Sequence, residues 1–188
     1  MNTANKLTMI RVMLIPVFVV LLYINFWFNC FINNISVAIV VFIIAGLTDI
    51  ADGAVARKRN QITDFGKFMD PLADKVLTFA AMFWLIEAGL MPAWLVLIVI
   101  VREFMVTGMR LVAAAKDRVV AASIWGKIKT LVTVICIVAM LLAHIVFESE
   151  SALLLATLIV CWSLIGVTTI ISGAEYFIKN KDIMKLDR

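Results

Sequence analysis

Residues 49–74 read DIADGAVARKRNQITDFGKFMDPLAD. Asp49, Asp52, Asp70 and Asp74 stand there at helical spacing, together with Gly53, Ala56, Arg57 and Gly66. Apolar segments flank the stretch: AIVVFIIAGLT (38–48) before it and KVLTFAAMFWLI (75–86) after it. Both flanks read as membrane. Charge is expensive in lipid, so carboxylates this close to it call for a cation, a proton pathway or a partner.

Composition supports a membrane reading. Of 188 residues, 64% are hydrophobic, and the mean hydropathy is +1.06. A soluble domain is nearer half apolar. At about 20 residues per spanning helix, the chain has room for about six spans with short connections and no soluble module. The expected class is therefore an all-α, polytopic membrane protein: six transmembrane helices in one domain, 1–188. The spans fall near 7–28, 35–57, 66–88, 92–115, 124–146 and 151–178. Lys6 and Arg11 precede the first apolar run, but no small-x-small cleavage site follows. That run reads as a retained helix.

Charge orients the bundle. The connections 29–34, 88–91 and 147–150 hold no Lys or Arg. The opposite side carries Lys6, Arg57, Lys58, Arg59, Lys116, Arg118, Lys127, Lys129, Lys179, Lys181, Lys185 and Arg188. Excess Lys and Arg marks the cytoplasmic side. Both termini and the aspartate stretch are therefore expected there, in a multi-pass protein of the cell membrane whose active site faces the cytoplasm.

On a helix advancing about 100° per residue, Asp49, Asp52, Gly53 and Ala56 fall within a stripe about 100° wide, with Arg57 beside it. Gly66, Asp70 and Asp74 line about 80° of the next helix. A short loop would let the two faces oppose each other. Like charges brought this close raise one another's pKa, and a divalent cation removes the conflict. An oxygen-only ligand set suits Mg²⁺ or Mn²⁺. Carboxylates shared by two helices could hold two ions, an arrangement that serves displacement at phosphorus. Gly53, Ala56 and Gly66 leave room for a ligand near the backbone, and Arg57 can bind phosphate oxygens bidentately. Spacing alone leaves three readings open: metal-dependent phosphoryl chemistry, ion or proton transport, and structural pairing with Arg57, Lys67 and Lys75. Transport would need a polar path to the outer face, and the flanking segments offer none.

The spacing Asp49-x-x-Asp52-Gly53-x-x-Ala56-Arg57, eight residues, then Gly66-x-x-x-Asp70-x-x-x-Asp74 resembles the complete signature of the CDP-alcohol phosphotransferases. Outside it, NKLTMIRVMLIPVF (5–18), FMDPLADK (68–75), VREFMVTGMR (101–110) and AASIWGKIKT (121–130) resemble the phosphatidylglycerophosphate synthase branch. Cardiolipin synthases of the same superfamily, with phosphatidylglycerol as acceptor, share the DPLADK-type segment. The resemblance implies transfer of a phosphatidyl group from CDP-diacylglycerol to sn-glycerol 3-phosphate, with release of CMP. It also implies six membrane helices, divalent metal and a homodimer. By position it makes Asp49, Asp52, Asp70 and Asp74 metal ligands, with Asp74 also the base on the acceptor hydroxyl. Gly53, Ala56, Arg57 and Gly66 would shape the cytidine diphosphate pocket, with Thr8 as a further contact.

The acceptor brings a second phosphate, which needs its own cationic site. Arg110 and Lys127 are the leading candidates, followed by Arg118 and Arg11. Ser123 and Thr130 could add hydroxyl donors. Lys129, Arg118 and the tail lysines read as surface groups that meet anionic membrane lipid. Arg102 reads equally as a cation of the acceptor-phosphate site or as a structural partner of Glu103 or a neighbouring helix. No nucleic-acid partner is expected. Cys30, Cys136 and Cys161 read as small apolar filler, His144 as a packing residue, and Glu175 as snorkelling or paired with a basic neighbour.

Overall fold

The computed structural model describes residues 13–24, 35–46, 64–115, 123–147 and 151–181, with backbone alone at 64–74 and 114–115. The described residues are helical apart from short connections and caps. The helices are α1 (Met13–Ile24) and α2 (Ile35–Gly46), then α3 (Asp64–Glu87), α4 (Ala93–Ala115), α5 (Ile124–Val146) and α6 (Ala152–Lys179). They fall into two compact units, Met1–Glu87 and Ala88–Arg188.

In the first unit, α2 buries Ala38, Ile39, Phe42 and Ala45. This is the one-face stripe of a 3.6-residue period. Phe42 meets Phe18 of α1 with ring centroids 5.4 Å apart, tilted by 38°. Farther along α1, the Leu22 carbonyl accepts a hydrogen bond from Trp84 Nε1 of α3 at 3.0 Å. A buried indole N–H needs such a partner. Trp84 shares its buried face with Leu77, Ala81 and Leu85, so α3 turns its apolar second half inward.

The second unit starts with a turn at Gly89, whose φ of +73° favours glycine. Two serine caps then start helices. Ser123 Oγ accepts from Gly126 N at 2.9 Å to open α5, and Ser151 Oγ accepts from Leu153 N at 3.3 Å to open α6. Each satisfies a first-turn N–H that has no partner inside the helix. Helix α6 packs against both α4 and α5. Its Trp162 Nε1 donates to the Leu90 carbonyl at 2.9 Å, tying α6 to the turn before α4.

The exteriors are apolar. Trp94, Leu97, Phe104 and Leu111 are exposed on α4, Leu131 and Ile135 on α5, and Leu155, Val160 and Ile170 on α6. The buried polar residues Lys129, Thr133, Thr168, Thr169 and Ser172 face inward instead. Oil outside and polar groups inside suit a lipid environment. Helices α5 and α6 are long and apolar enough to cross a bilayer, each with hydropathy 2.3. Helices α3 and α4 match them in length but carry Asp70, Asp74 and Lys75, and Arg102, Glu103 and Arg110, respectively. The same charges that make these two helices chemically interesting lower their hydropathy.

Candidate active site

The first half of the aspartate stretch, with Asp49, Asp52, Gly53, Ala56 and Arg57, lies outside the described residues. Thr8, Arg11 and Arg118 do too. The second half is on the page. Gly66, Asp70 and Asp74 occupy the N-terminal part of α3, a continuous helix from Asp64. At about 100° and 1.5 Å per residue, they define a strip about 80° wide and about 12 Å long. Helix α3 starts two residues before the expected 66, so Pro71 is its eighth residue, just past two turns. Proline there removes the N–H that would have bonded the Lys67 carbonyl. The helix nevertheless continues to Glu87.

What this strip can do follows from its donors. Carboxylates one turn apart on a helix share a face, and carboxylate oxygens without thiolate or imidazole suit a hard divalent cation. Among the described residues, whose side chains begin at Lys75 on α3, no group of three His, Cys, Asp or Glu converges.

The basic residues of the second unit separate into two sets. Arg110 and Lys127 are exposed. Arg110 Nε donates to the Tyr176 hydroxyl at 3.0 Å, and its guanidinium carbon lies 5.6 Å from the centre of that ring. Tyr176 is itself buried, so Arg110 rests against a fixed support on α6. The contact occupies Nε and leaves the terminal nitrogens for a bidentate anion. Lys127 lies in the first turn of α5.

Arg102 and Lys129 form the second set: Lys129 is buried and Arg102 half-buried. Glu103 Oε1 accepts from Arg102 Nη1 at 2.7 Å and from Lys129 Nζ at 2.9 Å. Arg102 Nη2 donates to Ser172 Oγ on α6. A Cβ added at Gly126 would stand 3.2 Å from Ser123 Oγ, tighter than an ordinary contact, so the glycine leaves the capping hydroxyl its space. Arg102 Nε, Thr133 Oγ1 and Thr169 Oγ1 are buried without a hydrogen-bond partner among the described residues.

Two sequence expectations change here. Lys129 is not a surface lysine that meets lipid. It is 4% exposed and lies in the same buried stripe as Thr133, Cys136 and Met140. Their spacing by three and four residues was the available signal. Arg102 takes both of the partners considered for it, Glu103 and a neighbouring helix. Glu175 pairs with Lys179 at 2.5 Å, as read. Tyr176 and Ser172 went unremarked in the sequence, since one Tyr and one Ser in an apolar span carry no distinctive spacing.

Residues 1–170 match the CDP-alcohol phosphatidyltransferase family. The chain belongs to that family. The resemblance read from Asp49–Asp74 is thereby borne out. Among curated relatives, the chain is 44% identical over 197 residues to the CDP-diacylglycerol–glycerol-3-phosphate 3-phosphatidyltransferase of Bacillus subtilis, covering 98% of this chain and 97% of that protein. It is 32% identical to the enzyme of that name from Rickettsia typhi, covering 94% and 95%. It is 34% identical to a probable phosphatidylglycerophosphate synthase of Mycobacterium tuberculosis, covering 93% of this chain and 79% of that protein. For a CDP-alcohol phosphatidyltransferase, carboxylates at one-turn spacing such as Asp70 and Asp74 are chemically apt.

Proposed function

We propose that this chain transfers the phosphatidyl group of CDP-diacylglycerol to sn-glycerol 3-phosphate, yielding phosphatidylglycerophosphate and CMP. Near-full-length similarity to relatives named for this reaction carries the reading. The uninterrupted signature from Asp49 to Asp74 supports it.

Asp49, Asp52, Asp70 and Asp74 would hold a pair of Mg²⁺ or Mn²⁺ ions, which would supply charge neutralisation to the diphosphate and to the departing CMP. Gly53, Ala56 and Gly66 admit the nucleotide close to the backbone. Arg57 binds phosphate oxygens, and Thr8 adds a donor. Asp74 takes the proton of the acceptor hydroxyl. The hydroxyl oxygen then forms its bond to the β-phosphorus as the bond from that phosphorus to CMP breaks. Arg110 and Lys127 bind the acceptor's own phosphate, with Arg118 and Arg11 as further cations. Phosphatidylglycerol, the acceptor of a cardiolipin synthase, has no terminal phosphomonoester to engage them.

The reading includes six spans, both termini on the cytoplasmic side, and a homodimer in the cell membrane with anionic lipid around its basic edge. The bare outer connections and the apolar exteriors of α4, α5 and α6 support this arrangement. The direct test is transfer of label from water-soluble glycerol 3-phosphate into the lipid phase, with CMP released in equal amount. Label that stays in water while CDP-diacylglycerol is present refutes the assignment.

A further inference from the structure

The described residue with the most consequential set of contacts is Glu103, and the signature does not include it. One oxygen of its carboxylate accepts from two cations on two helices, Arg102 of α4 at 2.7 Å and Lys129 of α5 at 2.9 Å. Arg102 then reaches α6 through Ser172. Glu103 thus ties α4 to α5, and the Arg102 it holds ties α4 to α6. All three charged side chains are mostly shielded: the relative exposures are 11% for Arg102, 15% for Glu103 and 5% for Lys129.

The electrostatics fix what Glu103 must do. Two cations drawn together inside an apolar bundle repel, and their repulsion is stronger in a low dielectric. A buried ion cluster recovers its desolvation cost only with good geometry, so apolar residues would stabilise the bundle as well or better. Stability alone therefore does not account for this cluster. What it supplies is register. Glu103 and Arg110 lie on the same face of α4, about two turns apart. Arg110 in turn leans on Tyr176 of α6, one turn beyond Ser172. Lys129 lies two residues from Lys127 on α5. Holding Glu103 against Lys129, and through Glu103 the Arg102 that meets Ser172, therefore fixes where Arg110 and Lys127 stand.

We propose that Glu103 is a positioning residue for the acceptor's phosphate: it sets the register of α4 against α5 and α6 in which their exposed cations meet that phosphate. The proposal rests on the reading that Arg110 and Lys127 take the acceptor's phosphate.

The test compares Glu103→Asp, Glu103→Gln and the double variant Glu103→Gln/Lys129→Gln in purified full-length protein. Each is assayed for CMP release with either substrate varied, and for unfolding in detergent. Glu103→Asp keeps the charge but draws it back by one methylene. It should fold like the parent and raise the KM for glycerol 3-phosphate about tenfold, the scale of one charge-assisted hydrogen bond, with the KM for CDP-diacylglycerol unchanged. Glu103→Gln should be less stable and raise the acceptor KM further. The double variant removes one of the two cations that Glu103→Gln leaves facing each other, and should regain part of the stability without regaining the acceptor KM. An unchanged acceptor KM in Glu103→Asp overturns the proposal. So does a double variant that regains stability and acceptor KM together, because the cluster is then structural only. Arg110→Ala in the same series separates the two layers. If it leaves the acceptor KM unmoved, the underlying reading fails as well. If it raises that KM while Glu103→Asp does not, only the positioning role fails.

Discussion

Replacing Arg110 by alanine isolates the acceptor's phosphate from the rest of the chemistry. In the structure its Nε is engaged by the Tyr176 hydroxyl at 3.0 Å, and its guanidinium lies 5.6 Å from the ring centre. Those contacts hold the group in place and leave its terminal edge for a phosphate. Alanine removes the edge and the charge together. A hydrogen bond to a charged group contributes about 1.5–3 kcal/mol, so the KM for glycerol 3-phosphate should rise on the order of 10- to 100-fold. Tyr176→Phe keeps the ring under the guanidinium but deletes the hydroxyl. Losing that one bond should raise the same KM by about threefold to tenfold. Arg110→Lys should fall between parent and alanine, since an ammonium keeps the charge but not the bidentate fork. The assay is CMP release in mixed micelles, varying glycerol 3-phosphate at saturating CDP-diacylglycerol and then the reverse. An acceptor KM unmoved in Arg110→Ala, or equal rises for both substrates, refutes the reasoning.

Other consequences are more local. Asp74→Asn should abolish turnover while CDP-diacylglycerol binding, followed by equilibrium binding in micelles, is largely retained; near-parental turnover removes Asp74 as the base. Chelation by EDTA should stop CMP release, and added Mg²⁺ or Mn²⁺ should restore it. Activity that persists in EDTA contradicts the carboxylate–metal assignment. Trp84→Phe deletes the bond to the Leu22 carbonyl and should lower stability by about 0.5–1.5 kcal/mol in denaturant titration, with both KM values unchanged.

Much of the helical frame was legible because each long apolar run ends in a physical stop signal. Ser123 and Ser151 cap α5 and α6, so 124–146 and 151–178 agree with Ile124–Val146 and Ala152–Lys179 to within a residue at each end. Span 92–115 agrees equally with Ala93–Ala115. Span 66–88 starts two residues later than α3, which begins at Asp64 among polar residues that carry no apolar period. The reaction class was legible because the signature from Asp49 to Asp74 stands uninterrupted in one short stretch of sequence. The cluster around Glu103 was not. Adjacent Arg102 and Glu103 look like an incidental pair, and Lys129 looks like one more basic residue at a helix end. Only the packing of α4, α5 and α6 brings Glu103 to Lys129 across 26 positions of sequence and Arg102 to Ser172 across 70. Local period could have placed Lys129 on the buried stripe, but no local rule names its partner on another helix.

The central claim is the choice of acceptor. It is tested most directly by CMP release from CDP-diacylglycerol in purified protein, with glycerol 3-phosphate, inositol phosphate or phosphatidylglycerol offered in separate reactions. The account predicts release with glycerol 3-phosphate alone. Release driven by phosphatidylglycerol or by inositol phosphate, with none from glycerol 3-phosphate, would contradict it.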